Sequence, residues 1–171
     1  MTAPTLLVVG SDARRRTTLA GRVAGLGYCV LGEADGSDAL ERVRALRPDL
    51  VILDAQVWEC ERSFVRATCL EQLAPVLVLT SDPDVVEPAV SAPVMGIMVG
   101  PLTELALRAN VELALAHWRR RWVDLAKGLL MGRHRGITEA RAHRVLNRLS
   151  QDSRRATHCT ARAILRLYGA L

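Results

Sequence analysis

Five near-continuous apolar runs of strand length, separated by stretches with helical spacing, constrain this chain more than any other feature. They are Thr5 to Val9, Tyr28 to Leu31, Leu50 to Leu53, Val76 to Thr80 and Met95 to Val99. Runs without apolar/polar alternation suit strands buried on both faces of a parallel sheet. Between them lie helical patterns at Ala13 to Ala24, Ser37 to Leu46, Glu59 to Leu73 and, more weakly, Val85 to Val90. Strict βα alternation predicts an α/β domain with a doubly wound, five-stranded parallel sheet of the flavodoxin type. Functional residues of such a sheet sit in the loops at the strand C-termini, here beginning at Gly10, Asp54, Thr80 and Gly100.

From Thr103 the pattern changes to one helix reaching about Met131. Val111, Leu115, Trp118, Trp122, Leu125 and Leu129 follow one another at spacings of 4, 3, 4, 3 and 4, the signature of a coiled-coil seam. A helix of roughly 40 Å must leave the first domain and meet either a second copy or its own C-terminal helices. A parallel homodimer is the simpler way to cover two tryptophans on one stripe. Thr138 reads as the N-cap of a helix Glu139 to about Leu149, and a last helix is predicted from about Arg155 to Tyr168.

Charge divides along the same boundary. Residues 1–101 carry nine arginines against thirteen acidic residues, net −4, whereas residues 102–171 carry fourteen basic residues against five acidic ones, net +9. An acidic α/β segment, 1–101, is thus followed by a long helix, 102–125, and a small basic all-α segment, 126–171. A basic module points to a polyanion, with nucleic acid ahead of an anionic membrane surface. The longest uncharged stretch, Pro88 to Thr103, is interrupted by Pro93, Gly96, Gly100 and Pro101, so no membrane span is expected. The N-terminus lacks a basic region and an apolar core of signal-peptide length, which predicts a cytoplasmic protein. Cys29, Cys60, Cys69 and Cys159 form no CxxC pair and read as free thiols; His134, His143 and His158 have no acidic cluster around them and predict no metal site.

Two strings carry family resemblances. Pro48-Asp49-Leu50-Val51-Ile52-Leu53-Asp54 ends a buried strand in a carboxylate, and Val76-Leu77-Val78-Leu79-Thr80-Ser81 ends another in a hydroxyl. Over roughly residues 4–110 the chain resembles the receiver domain of two-component response regulators. The resemblance implies that Asp54 is the phosphoacceptor and Thr80 the switch hydroxyl. The acidic pair that would hold Mg²⁺ is replaced by Gly10-Ser11, leaving Asp12 nearby, and the Lys-Pro pair by Gly100-Pro101; Ile97 stands where an aromatic is usual. The chain's only lysine is Lys127. The expectation is therefore no resident cofactor, with Mg²⁺ at Asp12 and Asp54 a weak site at best. Asp54 has two readings, a phosphoacceptor or a strand-end carboxylate in a domain now used for protein contacts. Asp12 reads equally as an N-cap, and Thr80 with Ser81 as turn formers.

Ala126-Lys127-Gly128-Leu129-Leu130-Met131-Gly132-Arg133-His134, then Gly136-Ile137-Thr138-Glu139, Ala142, Leu146 to Asp152 and Ala161 to Leu165, resembles the ANTAR module of transcription antitermination regulators over about residues 122–166. The resemblance implies a non-enzymatic RNA-binding regulator that, as a dimer, grips tandem hairpins in a leader transcript and prevents terminator formation. Control would pass through the degenerate receiver by contact with a ligand-binding sensor protein. Lys127, Arg133, Arg148, Arg154 and Arg155 are the candidate RNA contacts, with Arg135 and Arg162 behind them. Arg135 is an extra residue in the turn, and Thr157 and Thr160 replace apolar residues, which predicts loose packing or hydroxyls bonded back to their own helix. The alternatives are a phosphorylation-activated regulator with the same output, a DNA-binding factor, and an interaction protein working through Trp118 and Trp122 alone.

Overall fold

Leu6 to Val9, Leu50 to Leu53 and Val76 to Val78 are each completely buried, and their alternate side chains enter two different cores. That is the physical meaning of the unbroken apolar runs: neither face of the sheet meets water. The fold is that of a computed structural model describing residues 3–56, 58–134 and 136–170; the side chains of Glu59 and Cys60 lie outside the description. Its elements are β1 Thr5–Gly10, α1 Ala13–Gly25, β2 Cys29–Ala34, α2 Ala39–Leu46, β3 Leu50–Asp54, α3 Trp58–Leu70, β4 Val76–Thr80, α4 Pro83–Val90, β5 Gly96–Val99, α5 Glu104–Arg133, α6 Glu139–Ser153 and α7 Thr157–Leu167. The strands are all parallel in the order β2-β1-β3-β4-β5, the doubly wound topology expected.

On one face Leu7, Val9, Val51, Leu53, Val76 and Val78 pack under α2, α3 and α4 through Val43, Phe64, Val65 and Val85. On the other, Leu6, Val8, Leu50, Ile52, Leu77 and Leu79 pack under Leu19 and Val23 of α1 and Leu107, Val111, Ala114 and Leu115 of α5. Full burial of such a side chain contributes about 1.5–3 kcal/mol, so this first part of α5 is a layer of the α/β domain. Polar ties reinforce it. Tyr28 Oη donates to Glu112 Oε1 at 2.8 Å, and burial, followed by this hydrogen bond to a carboxylate, pushes the phenol up to about 12. Arg108 donates to the Leu26 carbonyl at 3.3 Å, and Arg22 to that of Leu102.

The chain divides into Met1–Leu115 and Ala116–Leu171, so the boundary falls inside α5 and residues 102–115 belong with the sheet. This corrects the seam. Val111 and Leu115 do not face a second copy; they are 0% and 1% exposed within the α/β core. A 4-3-4-3 spacing reports an apolar stripe and is silent on what covers it.

In the second unit Trp118 and Trp122 meet edge to face, their centroids 5.0 Å apart, and Arg162 of α7 lies 5.3 Å over the Trp122 ring. Trp122 is 1% exposed within its own chain, so this part of the stripe is also covered without a partner. Leu125 and Leu129 are different: they line an open groove with Leu165, and Leu125 is 44% exposed. Thr160 is buried in α7, and its hydroxyl lies 3.5 Å from that of Ser153; Thr157 donates to Asn147 and Ser150 of α6 at 3.5 and 3.4 Å. These threonines bond across the α6–α7 contact rather than back to their own helix.

Two local expectations also shift. β2 runs on through Gly32 and Glu33 to Ala34, because Gly32 sits in extended backbone at a register irregularity in the β1–β2 pairing and does not end the strand. α4 begins at Pro83, with Asp82 capping it by accepting from the Asp84 backbone N–H at 2.9 Å.

Candidate functional site

Asp54 closes β3 at the carboxyl edge of the sheet, 6% exposed, and both of its carboxylate oxygens accept hydrogen bonds. Arg15, in the first turn of α1, donates from Nε to Oδ2 at 2.8 Å and from Nη2 to Oδ1 at 2.9 Å; Gln56 Nε2 adds a third donor at 3.0 Å to Oδ1. A bidentate guanidinium–carboxylate fork is among the stronger protein hydrogen-bond arrangements. The hydrogen bond to Asp54 is the main cause holding Arg15 above its ordinary value. Asp12 is the N-cap of α1, accepting from the Arg15 backbone N–H at 3.0 Å, and that bond holds its carboxyl below the usual range. Arg16 donates to the carbonyls of Gly10 at 2.6 Å and Ser11 at 3.1 Å. Thr80 is buried, and its Oγ1 accepts from the Asp82 backbone N–H at 3.0 Å, tying the turn before α4.

This donor set does not fit a resident Mg²⁺. The cation beside Asp54 is the chain's own guanidinium, and the Gly10 backbone lies so close that an added Cβ would meet Asp54 Cβ and O at 3.2 Å. Mg²⁺ demands several oxygen ligands at about 2.0–2.1 Å, whereas Asp12 is spent on capping and Ser11 offers no carboxylate. Among the described residues no three His, Cys, Asp or Glu side chains gather as a metal site.

Glu61, on α3, was not singled out by sequence, since nothing local marks an acid on an amphipathic helix as buried. It is 4% exposed and its Oε2 has no hydrogen-bond partner among the described residues. Burial, with a smaller push from the charge of Asp54 and against a backbone hydrogen bond from Gln56, raises its carboxyl to about 7 from 4.5. The folded state therefore binds a proton more tightly than the unfolded state. Stability contributed by that proton is complete below about pH 4.5 and falls as pH rises to about 7. Glu61→Gln is expected to match wild type near pH 4 and to gain about 2 kcal/mol over it at pH 8. Urea unfolding at the two pH values checks this; an equal difference at both would show that the carboxylate carries no such penalty.

In the second unit the structure sorts the candidate RNA residues. Lys127 is held in ion pairs with Asp124 at 2.7 Å and Glu139 at 2.8 Å; its side chain is 14% exposed, and these hydrogen bonds raise its pKa. It joins α5 to the first turn of α6. Arg162 is half-buried over Trp122, and Arg133 lies 4.7 Å over the Tyr168 ring on the surface. Arg135 lies outside the described residues. Arg148, Arg154 and Arg155 are exposed, and Arg154 takes the left-handed conformation that ends α6, its turn fastened by Arg155 N donating to the Ser150 carbonyl at 3.1 Å. Arg141 and Arg144, absent from the sequence candidates, are exposed on the same face of α6 as Arg148. Their spacing of three and four, opposite the buried Ala142 and Leu146, was the available signal.

A receiver-type α/β domain, whose strand-end carboxylate Asp54 is paired with its own Arg15, is thus joined in one chain to a basic helical unit: the class is a two-part regulator. Residues 109–165 match the ANTAR domain family. The transcriptional regulatory protein PdtaR of Mycobacterium tuberculosis is 31% identical over 188 aligned residues, spanning 96% of this chain and 90% of that protein. The chain belongs to this family of ANTAR-domain transcriptional regulators with a receiver-type N-terminal domain. The match extends further into α5 than residues 122–166, taking in the stretch docked on the sheet.

The α/β domain is also similar to other regulatory proteins. The transcriptional regulatory protein ZraR of Escherichia coli is 35% identical over 117 residues, 66% of this chain and 26% of that protein. The signal receiver domain of NarL from Mycobacterium tuberculosis superposes with TM-score 0.56 and 25% identity, covering 66% of this chain and 98% of that one. The N-terminal domain of a response regulator from Carboxydothermus hydrogenoformans gives 0.59 and 28%, covering 68% and 98%. No helix among the described residues is long and apolar enough to cross a membrane.

Proposed function

We propose that this regulator is a non-enzymatic, RNA-binding antiterminator whose helical unit grips tandem hairpins in a leader transcript and keeps a terminator from forming. The observation that carries this reading is the arginine face of α6, Arg141, Arg144 and Arg148, continued by Arg154 and Arg155, within the stretch that matches the ANTAR family. Guanidinium groups fixed on a rigid helix suit hairpin phosphates, and the fastened α6–α7 turn suits an unstacked loop. A homodimer, needed to hold two hairpins together, would meet at Leu125 and Leu129, the part of the stripe left open.

The α/β domain, in this reading, takes its signal by contact with a ligand-binding sensor protein rather than by phosphoryl transfer, because Arg15 already neutralises Asp54. Acetyl phosphate with Mg²⁺ is therefore expected to leave wild type unlabelled, indistinguishable from Asp54→Ala on a phosphate-affinity gel. Stoichiometric labelling that changed RNA affinity would establish the phosphorylation-activated alternative. The output is tested with the full chain, titrating a tandem-hairpin leader RNA and a DNA duplex of equal length across a salt series. Preference for RNA, with log K falling steeply against log salt, supports the reading. Equal binding to both would point to a DNA-binding factor, and binding to neither to a regulator acting through protein contacts alone.

A further inference from the structure

Arg15, Thr18, Leu19 and Arg22 recur at spacings of three, one and three, and so share one face of α1. Opposite them, at the carboxyl edge of the sheet, stand Asp54, Leu79, Thr80 and Ser81, with Met98, Gly100 and Leu102 beyond. Between the two rows lies a cavity of about 340 Å³. Open α/β sheets bind ligands in such a crevice, outside the strand carboxyl ends.

The lining has two parts. Leu19, Leu79, Met98 and Leu102 supply apolar walls; Arg14, Arg15 and Arg22 line it as well, against the single acidic residue Asp54. In a segment where acidic residues outnumber arginines thirteen to nine, this is a local reversal of charge. Asp54 neutralises only one of the three. Arg22 gives one of its five N–H donors to the Leu102 carbonyl, which fixes the group at the wall with donors to spare, and Arg14 stands exposed at the rim.

We propose that this cavity binds a small organic anion, a carboxylate or phosphate monoester carrying a compact apolar body. The anionic head is held by Arg14 and Arg22, with Arg15 shared between ligand and Asp54, and the body lies against Leu19, Leu79, Met98 and Leu102. The volume is at the lower end of the range for small-molecule sites, which suits a single ring or a short chain and excludes a dinucleotide. The site is independent of the RNA reading, and binding is measured without RNA.

The test titrates the full chain, without Mg²⁺, by calorimetry with phenyl phosphate, benzoate, inorganic phosphate and phenol. The expected result is saturable 1:1 binding of at least one aromatic anion with a Kd below about 1 mM, and at least about ten-fold weaker binding of phenol and of inorganic phosphate. Phenyl phosphate against benzoate separates the two head-group sources. Arg14→Ala, at the exposed rim, should weaken binding about five-fold or more. Thr18→Trp, which fills the cavity from an exposed helical position and leaves every arginine in place, should abolish it with melting unchanged. Arg66→Ala, on the exposed side of α3, should change nothing. No saturation by either aromatic anion up to about 10 mM, or saturation indifferent to both Arg14→Ala and Thr18→Trp, overturns the proposal.

Discussion

Trp122→Ala is expected to cost about 3–5 kcal/mol, the range for deleting a large aromatic from a packed core, and to melt the helical unit ahead of the α/β domain. Trp122 is 1% exposed, with Trp118 edge-on and Arg162 over its ring, so truncation removes the contacts of both neighbours at once. Thermal unfolding of the full chain should separate into an early helical transition and a later one unchanged from wild type. The loss relative to wild type should be the same at every protein concentration, because the ring is covered within its own chain; a loss that changes with concentration would restore it to an intermolecular seam. Trp122→Phe provides the control. Its indole Nε1 is buried with no hydrogen-bond partner among the described residues, so phenylalanine loses some volume and sheds an unsatisfied donor. Its net cost should stay within about 1.5 kcal/mol.

Replacing Arg141, Arg144 and Arg148 together by alanine is expected to lower affinity for a tandem-hairpin RNA by about 10²–10³ near physiological salt and to reduce the log–log salt slope by about two to three. All three are exposed on the solvent side of α6, opposite Ala142 and Leu146, so the helix should keep its fold and melting point. Lys127→Ala should act differently. Its ammonium is matched to Asp124 and Glu139, so its loss loosens the α5–α6 junction and lowers stability, while the salt slope stays near wild type. An unchanged salt slope in the triple variant would remove α6 as the phosphate-contacting face and, with it, the observation on which the proposed function rests.

The input side of the molecule shows where residue types mislead. Asp54 and Thr80 stand at the strand ends that the receiver pattern demands, yet Asp54 is paired with Arg15 and the Thr80 hydroxyl accepts from the Asp82 backbone N–H. The acidic pair and the lysine are missing from the chain, which is legible by inspection. What replaces them is not: Arg15 lies 39 residues from Asp54, and only the parallel pairing of β1 with β3 brings the start of α1 over the end of β3. Arginine in a first helical turn is common and carries no mark of an ion pair. The same holds for Glu61, whose burial depends on how α3 is laid against the sheet.

Some properties needed no tertiary information. Continuous Val and Leu runs alternating with helical periods determine a parallel sheet covered on both faces, because backbone twist and short crossovers leave few other ways to bury them. The string around Lys127 and Arg133 carries the family, and the split of net charge separates the acidic α/β segment from the basic helical one. The three-dimensional arrangement alone decided what covers the stripe along α5. Val111 and Leu115 went into the sheet domain, Trp118 and Trp122 into the helical unit, and Leu125 and Leu129 were left on an open groove. Hydrophobic burial is non-directional: a helix can present an apolar edge at fixed spacing, but which surface covers it depends on the shape of every other element competing for the place.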